Sequence, residues 1–415
     1  MIRTGILLKL AFRNLLLHKK RSFFVMAILT IGCTGILLIG GFFQGVLTTL
    51  REQFIHGITG HLMVAKDGYY EHGVANPSRY LFPNSQNLGL ERNRHVTVTI
   101  PRLQFGGLLI TDRKVVSVNL IGVDPDREAL MSQYGGSRRV ETLKIVAGED
   151  LKAGDAEGLL MGESLAKIMK VGVGDELSMI ATTASGSVDG ANFRVRGLFR
   201  SPVREFDNQF AKLNLAAAQK VTASGDSVTS VLVMLDETEA TAGAKTALGT
   251  RLKPAGFEVL DWEERGDFYR NGRDLLTQID IVVRLIFATL ILFSIASSVN
   301  MTFFERIREF GTMMALGNTR SFIFLLITAE TFLLGAMGVS VGLGVGALAS
   351  LAVSRLDVMM PALPGATSGY EARIVVSAGL LIKVAVLGWA AAVASSLIVS
   401  MRARGLRIVQ ALGYV

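Results

Sequence analysis

The sequence predicts a membrane α-helical protein with four transmembrane helices and a large α+β extracytoplasmic domain inserted between the first and second of them. Two observations predict this fold class. Half of the 415 residues are hydrophobic, with a mean hydropathy of +0.42, and four apolar runs reach the ~20 residues that a bilayer-spanning helix needs. Charged residues concentrate at the ends of those runs. The predicted order is a cytoplasmic amphipathic helix over 1–21, the first span 22–50, the extracytoplasmic domain 51–278, the second span 279–304, a cytoplasmic coupling helix 305–320, the third span 321–354, a short outer loop 355–373, the fourth span 374–401 and a cytoplasmic tail 402–415.

The positive charges determine the predicted orientation. Residues 1–21 carry six Lys or Arg and no acid, 305–320 carry three against two, and 402–415 carry three against none. The long segment 51–278 instead has 27 basic and 29 acidic residues. Because short cytoplasmic loops are enriched in Lys and Arg, we expect both termini in the cytoplasm and 51–278 outside a bacterial cytoplasmic (inner) membrane. The net charge of +8 then reflects membrane orientation, and nucleic acid is not an expected partner.

The first span is predicted to be an uncleaved membrane anchor. Its uncharged run over 22–50 is longer than the apolar core of a signal peptide, and it lacks an A-x-A-like cleavage site. The segment 31–33 only faintly resembles a lipidation site, because Thr30 replaces the usual leucine. Cys33 is the one cysteine, so an internal disulfide is excluded and packing is its expected role.

Residues 51–278 alternate short apolar runs with turn signals, which is typical of a mixed α+β domain. The polar stretch 68–93 is expected to be loop. His56, His61 and His72 match no strong metal-ligand spacing, and we expect them on the surface near the membrane. Strands are predicted over 115–123, 158–161, 176–181, 192–199 and 228–235, and helices over 163–170, 237–252 and 262–280.

The segment 303–330 is expected to be the functional centre. It leaves one apolar run, becomes amphipathic and charged for about four helical turns, and then enters the next apolar run. Gly311 and the turn pair Gly317 and Asn318 punctuate it. An ordinary interhelical loop would explain basic residues here, but not a short amphipathic helix joined directly to a span at each end. A contact surface for a cytosolic partner is therefore the preferred interpretation.

The third span combines a glycine row with one acidic residue. Gly338, Gly342 and Gly346 recur at four-residue spacing, which is typical of close helix packing. A phosphate loop is the competing interpretation, but no strand precedes these glycines. Glu330 is expected to face the bundle, because a charged side chain facing lipid costs roughly 2.5–3.5 kcal/mol on insertion scales. Only Asp280, Arg284 and Lys383 could join it, so structural pairing is favoured over an ion path.

No motif for chemistry is complete. The sequence has no GxxxxGK[ST] phosphate loop, so the chain is not expected to hydrolyse ATP by itself. The run 162–166 approaches a nucleophile elbow, but all five histidines precede Ser164, whereas that hydrolase fold needs a histidine after the serine. A helix with Ser164 in its first turn is preferred. We therefore expect no catalytic residue, no metal site and no enzymatic activity in this chain.

The order of the spans and several motifs resemble the FtsX/MacB-like permeases of ABC transporters. After the second span that family carries E-x-x-x-[EQ]-[IF]-G, then A-L-G, then an acidic residue in the next span. The opening LAFRNLLLHKKRS, with Arg13, Asn14, Leu15 and Arg21, is also similar to the family's opening. The residues that match the motif after the second span are Glu305, Glu309, Phe310, Gly311, Ala315, Leu316, Gly317 and Glu330.

The resemblance implies a permease subunit that pairs with a second copy or a paralogue and with a dimer of a separate cytosolic ABC ATPase. ATP and Mg would bind to the ATPase, and no cofactor would bind to this chain. ATP binding would close the ATPase dimer and push on the helix 304–320. The implied ATPase-coupling residues are Glu305, Arg308, Glu309, Gly311, Gly317 and Arg320, and the bundle-packing residues are Gly338, Gly342, Gly346 and Glu330.

Within that family the external domain looks most like the lipoprotein-releasing (LolC/LolE-type) permeases, on the runs 162–175 and 193–213. This implies extraction or export of a lipid-anchored or amphiphilic cargo, with membrane lipid and a periplasmic protein as further partners. Over 181–193, carrier-recruiting relatives insert a Pro- and aromatic-bearing hairpin, whereas this sequence is short, polar and Gly/Ser-rich. A MacB-like efflux permease and a mechanotransmission permease that activates an external hydrolase stay open as alternatives.

Overall fold

The computed structural model describes residues 4–73, 77–133, 143–356, 358–362, 365–367 and 369–403. The chain divides into two compact units. The membrane unit comprises Met1–Leu47, Arg273–Met359 and Glu371–Val415, and the α+β unit comprises Thr48–Gly272 and Met360–Tyr370. Most of the predicted tail 402–415 lies outside the described residues.

The helices and strands alternate irregularly along the chain. The helices are α1 Thr4–Leu17, α2 Lys19–Phe54, α3 Pro125–Gln133, α4 Glu163–Met169, α5 Arg204–Gln209, α6 Leu215–Val221, α7 Thr241–Leu252, α8 Asp267–Glu305, α9 Ile307–Ala315, α10 Arg320–Ser354 and α11 Ala378–Ala403. The strands are β1 Leu62–Lys66, β2 Phe82–Pro83, β3 Val96–Ile110, β4 Val115–Val123, β5 Lys144–Gly148, β6 Gly158–Gly162, β7 Glu176–Thr182, β8 Val188–Arg200, β9 Phe210–Asn214, β10 Ser227–Val228, β11 Ser230–Leu235, β12 Phe257–Asp261, β13 Met359–Met360 and β14 Tyr370–Glu371.

Four helical segments are long and apolar enough to cross a membrane, which agrees with the four predicted spans. The helices extend beyond several predicted boundaries, and the N-terminal segment is a separate helix, α1. In the apolar stretch of α8 only 11% of the residues are buried, against 39–50% in the other three. Most of the apolar surface of α8 therefore faces away from the rest of the described chain. The four segments are Ser22–Thr59, Asp267–Glu305, Arg320–Ser354 and Ala378–Met401.

Ten strands of the α+β unit form one mixed sheet in the order β12-β1-β11-β3-β4-β9-β6-β8-β5, with β7 paired to β3 and β8. Successive side chains of a strand point to opposite faces of the sheet. In β1, Leu62 and Val64 belong to one apolar core and Met63 to another. Helices α4, α6 and α7 contribute to the first core, and α3 and α5 to the second. Because both faces are covered, β6 and β11 are buried along their whole length.

The predicted strand over 115–123 is confirmed as β4, and the predicted helix over 163–170 as α4. Ser164 lies in the first turn of α4. Gly162, at the end of β6, must be glycine here, because a Cβ would lie 2.1 Å from the backbone oxygen of Asp207. The 162–166 run is therefore a strand-to-helix connection with a tight backbone approach.

The expectation of surface histidines was wrong for His56 and His61, which are 4% and 1% exposed. The reason is that α2 continues past residue 50 and is followed by a π-helical turn, Ile55–Thr59, whose side chains enter the core. His56 Nδ1 lies 3.1 Å from the oxygen of Met131, so it donates there. His61 Nδ1 accepts the amide N–H of Leu235 at 3.1 Å. His72 is exposed, as expected.

Other differences concern element boundaries in the same unit. The helix predicted to begin at Trp262 begins at Asp267, and Trp262 is buried with its ring 4.7 Å from that of Tyr269. The segment 68–93 has short helical turns and β2, where only loop was expected. The helix predicted over 237–252 starts as a 3₁₀ turn and becomes α7 at Thr241.

Two buried cations and one largely buried carboxylate, whose side chain is 14% exposed, lie on one side of the sheet, and we call them the Glu128 cluster: Arg102, Lys212 and Glu128. Arg102 Nη2 and Lys212 Nζ each lie 2.6 Å from Glu128 Oε1. Arg102 Nη1 donates to the oxygen of Ile58 at 2.6 Å. Burial by itself would raise the pKa of Glu128, but the two neighbouring cations lower it to about 2. The carboxylate is therefore ionised across the physiological pH range.

Candidate coupling site

A short amphipathic helix, α9, follows α8 after a single residue, Arg306, whose φ of −102° and ψ of 11° interrupt the helix. Its buried residues recur at positions i, i+3, i+4 and i+7, the spacing of one helix face. The apolar ones pack in the same core as Leu15 of α1 and Ile323 of α10. The face is therefore held by both helices. Its members are Ile307, Phe310, Gly311 and Met314.

The opposite face of α9 and its ends are exposed. Five of the six predicted coupling residues lie there, and Leu316, just after the helix, is 81% exposed. The sixth, Gly311, is on the buried face. The exposed predicted residues are Glu305, Arg308, Glu309, Gly317 and Arg320.

A tight turn connects α9 to α10. Gly317 has φ of +98°, a left-handed conformation that favours glycine, and its N–H donates to the oxygen of Met314 at 3.0 Å. Asn318 donates from both backbone and side chain to the oxygen of Met313, each at 3.1 Å. Thr319 then caps α10, accepting the Phe322 N–H at 3.3 Å. The residues after the exposed face are thus fixed by backbone hydrogen bonds.

Four polar side chains meet at the start of α9, and we call them the Glu330 cluster: Asn14, Arg306, Glu309 and Glu330. Arg306 Nη1 lies 3.1 Å from both carboxylate oxygens of Glu330. Asn14 Nδ2 donates to Glu330 Oε1 at 2.7 Å, and Arg306 Nε donates to Glu309 Oε2 at 2.9 Å. Arg306 and Glu330 are each 4% exposed. The cluster therefore connects α1, the α8–α9 junction, α9 and α10 through one buried ion pair.

Comparison with protein families identifies both parts of the chain. The MacB-like periplasmic core domain model matches residues 22–251, more than half of the chain, and the FtsX-like permease C-terminal model matches residues 281–408. The chain belongs to the FtsX/MacB-type permeases of ABC transporters. Permeases of this type work with ABC ATPase partners. A search of the curated proteins found no match.

Two solved structures are similar to part of this permease. The periplasmic region of MacB from Actinobacillus actinomycetemcomitans is 16% identical, with 52% of this chain and 96% of that chain covered and a TM-score of 0.36. The extracellular domain of the noncanonic ABC-type transporter YknZ from Gram-positive bacteria is 12% identical, with 49% and 100% covered and a TM-score of 0.33.

The predicted glycine row of this permease faces α2. A Cβ on Gly338 would lie 2.8 Å from Leu29 Cβ, and one on Gly342 would lie 2.9 Å from Cys33 Cβ. On Gly346 it would lie 2.7 Å from a methyl carbon of Leu37. Real Cβ atoms do not approach so closely, so glycine allows α2 and α10 to pack against each other. Thr34 Oγ1 adds a hydrogen bond to the Gly342 oxygen at 3.0 Å.

Sequence reasoning placed Glu330 in the bundle but did not find its partners, Arg306 and Asn14. Of the charged residues considered with it, Asp280 and Arg284 pair with each other, at 2.7 Å. A usable signal was present, because a buried carboxylate needs a cation and Arg306 lies where α8 leaves the membrane-spanning stretch. Asn14 belongs to the N-terminal run that resembles the family, and its contact with Glu330 requires the tertiary structure.

The exposed face of α9 combines charged and apolar side chains. The exposed face presents opposite charges at Arg308 and Glu309 beside the apolar Leu316, a combination suited to a protein groove. Within the described ranges, no group of three or more His, Cys, Asp or Glu residues is placed to hold a metal ion.

Proposed function

We propose that this permease couples ATP hydrolysis by a separate cytosolic ATPase to the extraction or export of a lipid-anchored or amphiphilic cargo, as in lipoprotein release. Family membership supports the coupling to an ABC ATPase. The cargo class rests on the resemblance of the runs 162–175 and 193–213 to lipoprotein-releasing permeases. The chain itself acts as a force-transmitting subunit, not as an enzyme.

The observation that carries the proposal is the rigid support of an exposed helix. The buried Arg306–Glu330 pair supports α9. Glu330 lies on α10 and also accepts a hydrogen bond from Asn14 of α1. A push on α9 therefore acts on a charge contact that involves both α1 and α10. A flexible loop would absorb such a push in its own φ and ψ changes. A short helix with fixed ends instead passes the displacement to the helices that it contacts.

The proposed assembly follows from this role. A dimer of the ATPase contacts α9 and supplies ATP and Mg, while this chain binds no cofactor and pairs with a second copy or a paralogue. It lies in the bacterial cytoplasmic (inner) membrane with both termini in the cytoplasm, since the Lys and Arg excess flanks the spans on that side. Membrane lipid surrounds the bundle, and a periplasmic protein is a further partner of the α+β unit.

Efflux is the second candidate function. The match of residues 22–251 to the MacB-like periplasmic core domain favours it. The β7–β8 hairpin ends in a short turn at Thr183–Ser187 that carries no proline or aromatic residue, which weakens the case for a recruited lipoprotein carrier. Mechanical activation of an external hydrolase requires the same coupling surface and differs only in what the α+β unit contacts.

The coupling surface is tested with Arg308→Glu and Leu316→Glu, in the chain reconstituted with the ATPase that copurifies with it. Both residues are exposed, so the substitutions should change unfolding free energy by less than about 0.5 kcal/mol. Permease-stimulated ATP turnover should fall by about tenfold or more, the effect of losing about 1.4 kcal/mol of contact energy. Arg355→Glu, an exposed arginine just after α10, is the matched control. Turnover equal to that of the parent in both variants would refute the coupling role.

The cargo class is tested by mass spectrometry of what copurifies with a tagged chain from its native membrane. Acylated proteins or lipids together with an ATPase support extraction. An ATPase with a periplasmic adaptor or hydrolase, and without lipid-linked cargo, favours efflux or mechanical activation.

A further inference from the structure

An uncharged groove lies in the α+β unit beside the turn that connects β7 and β8. It has a volume of about 450 Å³, within the roughly 300–1,000 Å³ typical of small-molecule sites. Its walls come from the middle of β3, the end of β7, the start of β8, the residues after α6, and the segment that includes Leu81.

The groove exists because β3 changes partners. Along one edge, β3 pairs first with β11, and the last pair of that ladder is Arg102 with Ser230. It then pairs with β7, and the first pair of that ladder is Gly107 with Ala181. Among the described strands, none is in register with residues 103–106 on that edge. The ladder is therefore interrupted along these four residues, where the Gln104 N–H donates instead to Thr229 Oγ1 at 2.9 Å, and the groove opens there. Gly106 is exposed, and a Cβ built on it would meet nothing within 4 Å.

No ionisable side chain is found among the described residues that line the groove. This is unusual for its surroundings, since residues 51–278 include 27 basic and 29 acidic residues. Two large apolar side chains at the groove are exposed to solvent, Leu108 at 41% and Val188 at 70%. The main apolar lining residues are Leu81, Leu103, Phe105, Leu108, Ile180 and Val188.

The buried hydroxyl groups of the lining are occupied by other parts of the chain. Thr183 Oγ1 lies 2.7 Å from Ser187 Oγ, and Thr222 Oγ1 donates to the oxygen of Ala218 at 2.8 Å and lies 2.9 Å from Ser224 Oγ. The Ala184 N–H donates to the oxygen of Thr222 at 2.7 Å, which closes the wall between the hairpin and α6. Ser78, Gln104, Ser117 and Thr182 are the other polar side chains of the lining, and the remaining lining residues are apolar or glycine. Burial of apolar surface would therefore be the main contribution to binding here.

We infer that this groove binds an acyl chain of an amphiphile. An acyl chain is uncharged, elongated and apolar, which matches the missing charges, the slot-like gap beside β3 and the exposed Leu108 and Val188. An anionic ligand would instead require cations in the walls. The inference rests on the proposed function in one respect: the amphiphile would be the cargo, held by the α+β unit during its transfer.

Gly106→Phe is the variant that tests the groove. The backbone at Gly106 is not left-handed, the space beside its Cα is empty, and an aromatic residue is favourable in a strand. The ring should therefore fill the groove without disturbing the sheet. Gly249→Phe on α7 is the matched control, because a Cβ there also meets nothing within 4 Å and the residue does not line the groove. Thermal unfolding followed through Trp262 in a Trp389→Phe background should show that both variants are folded.

The full chain in lipid nanodiscs is photolabelled with a diacylated lipopeptide that carries a diazirine at the end of one acyl chain, and separately with a phosphatidylglycerol labelled in the same way. Peptide mapping should place crosslinks in residues 103–108 and 180–188. Labelling of those peptides should fall by about tenfold in Gly106→Phe, equivalent to about 1.4 kcal/mol, and should not change in Gly249→Phe.

The two probes separate the two sources of an acyl chain. Labelling by the lipopeptide assigns the groove to an acylated cargo, and labelling by the phospholipid alone assigns it to bilayer lipid. If neither probe labels the groove while both label the membrane helices, or if Gly106→Phe is labelled like the parent, the inference is wrong. This outcome is distinct from failure of the proposed function, which would appear as unchanged ATP turnover in the α9 variants.

Discussion

The membrane unit and the α+β unit each bury one cluster of charged side chains, and the two clusters are built differently. The Glu128 cluster has two cations on one carboxylate, and its outward hydrogen bond from Arg102 ends on the backbone oxygen of Ile58. The Glu330 cluster has one cation between two carboxylates. One of these, Glu330, is buried, and the other, Glu309, has a side chain that is 53% exposed.

This difference separates a structural ion cluster from one that can respond to a partner. All three side chains of the Glu128 cluster are at most 14% exposed, so a partner that binds at the surface has little access to them. In the Glu330 cluster, a partner that binds Glu309 would compete with Arg306 for that carboxylate and thereby change the pairing between Arg306 and Glu330. Burial fixes the first arrangement, whereas partial exposure makes the second adjustable.

The largest expected effect comes from breaking the closed cluster. Glu128→Gln keeps the side-chain shape but leaves Arg102 and Lys212 buried without a counter-charge, which should destabilise the α+β unit by about 3–5 kcal/mol. Chemical unfolding of the full chain in a Trp389→Phe background measures this, because Trp262 is then the one tryptophan and lies in that unit.

Glu176→Gln is the control for that substitution. Glu176 pairs with Arg194 at 2.6 Å, but both side chains are more than 60% exposed, and such surface pairs contribute only about 0–1 kcal/mol. If the two substitutions cost the same, the Glu128 cluster would not be the structural element described above.

A smaller effect on stability, combined with a large effect on coupling, is expected from Arg306→Met. Glu330 would lose its cation but keep Asn14, so we expect a cost of about 3 kcal/mol, the lower end for a broken buried pair. The double variant Arg306→Met, Glu330→Met should recover most of the lost unfolding free energy, because apolar residues can replace a buried ion pair at little cost. Unfolding is followed through Trp389 in a Trp262→Phe background.

The double variant also distinguishes stability from transmission. If the Glu330 cluster transmits the push on α9, the double variant should remain folded but lose permease-stimulated ATP turnover. Full turnover in the double variant would mean that the cluster serves only to hold the helices together. Arg284→Met with Asp280→Met is the control, since that pair lies within α8 and does not contact α9.

The sequence predicted those parts of the fold whose signals are local. β4 is an apolar run ended by Asp124 and Pro125, and α4 follows a glycine, so both could be read directly. β3 was missed because Pro101 and the pair Gly106 and Gly107 interrupt its pattern. Here Pro101 lies opposite Val231 of β11, and Gly106 and Gly107 lie where β3 changes its partner from β11 to β7. These features depend on neighbouring strands.

The charged positions show the same limit. The first span was ended at residue 50 because Arg51 and Glu52 follow it, yet they pair with each other at 2.8 Å and α2 continues to Phe54. Glu330 could be assigned to the interior of the helix bundle, because a charged side chain that faces lipid is energetically costly. Its partner Arg306 is 24 residues away, beyond any helical spacing, so the pair is defined by how α8, α9 and α10 pack together.

The smallest expected effect is the change in stability with pH. It sharpens the comparison of the two charged clusters, because the Glu128 cluster should not contribute to it. With a pKa of about 2, Glu128 loses its stabilising charge only as pH falls from about 4.5 towards 2. Two other buried groups titrate between pH 7 and 4, with opposite signs. Burial lowers the pKa of His61 from 6.5 to about 4, and burial raises the pKa of Asp207 from 3.8 to about 6.

Their contributions should nearly cancel in the parent. Below pH 6.5 the unfolded state takes up a proton on His61 that the folded state refuses, so acidification destabilises the α+β unit by up to about 3 kcal/mol at pH 4. Asp207 takes up its proton first in the folded state, which offsets this by a similar amount. The unfolding free energy measured through Trp262, again in the Trp389→Phe background, should therefore change by only about 1 kcal/mol between pH 7 and 4. The variant Asp207→Asn should therefore lose stability on acidification, and the variant His61→Gln should gain it. His72→Gln is an exposed control and should leave the pH dependence of stability as in the parent. Equal slopes in all four proteins would show that the burial of these two side chains does not control the pH response of the unit.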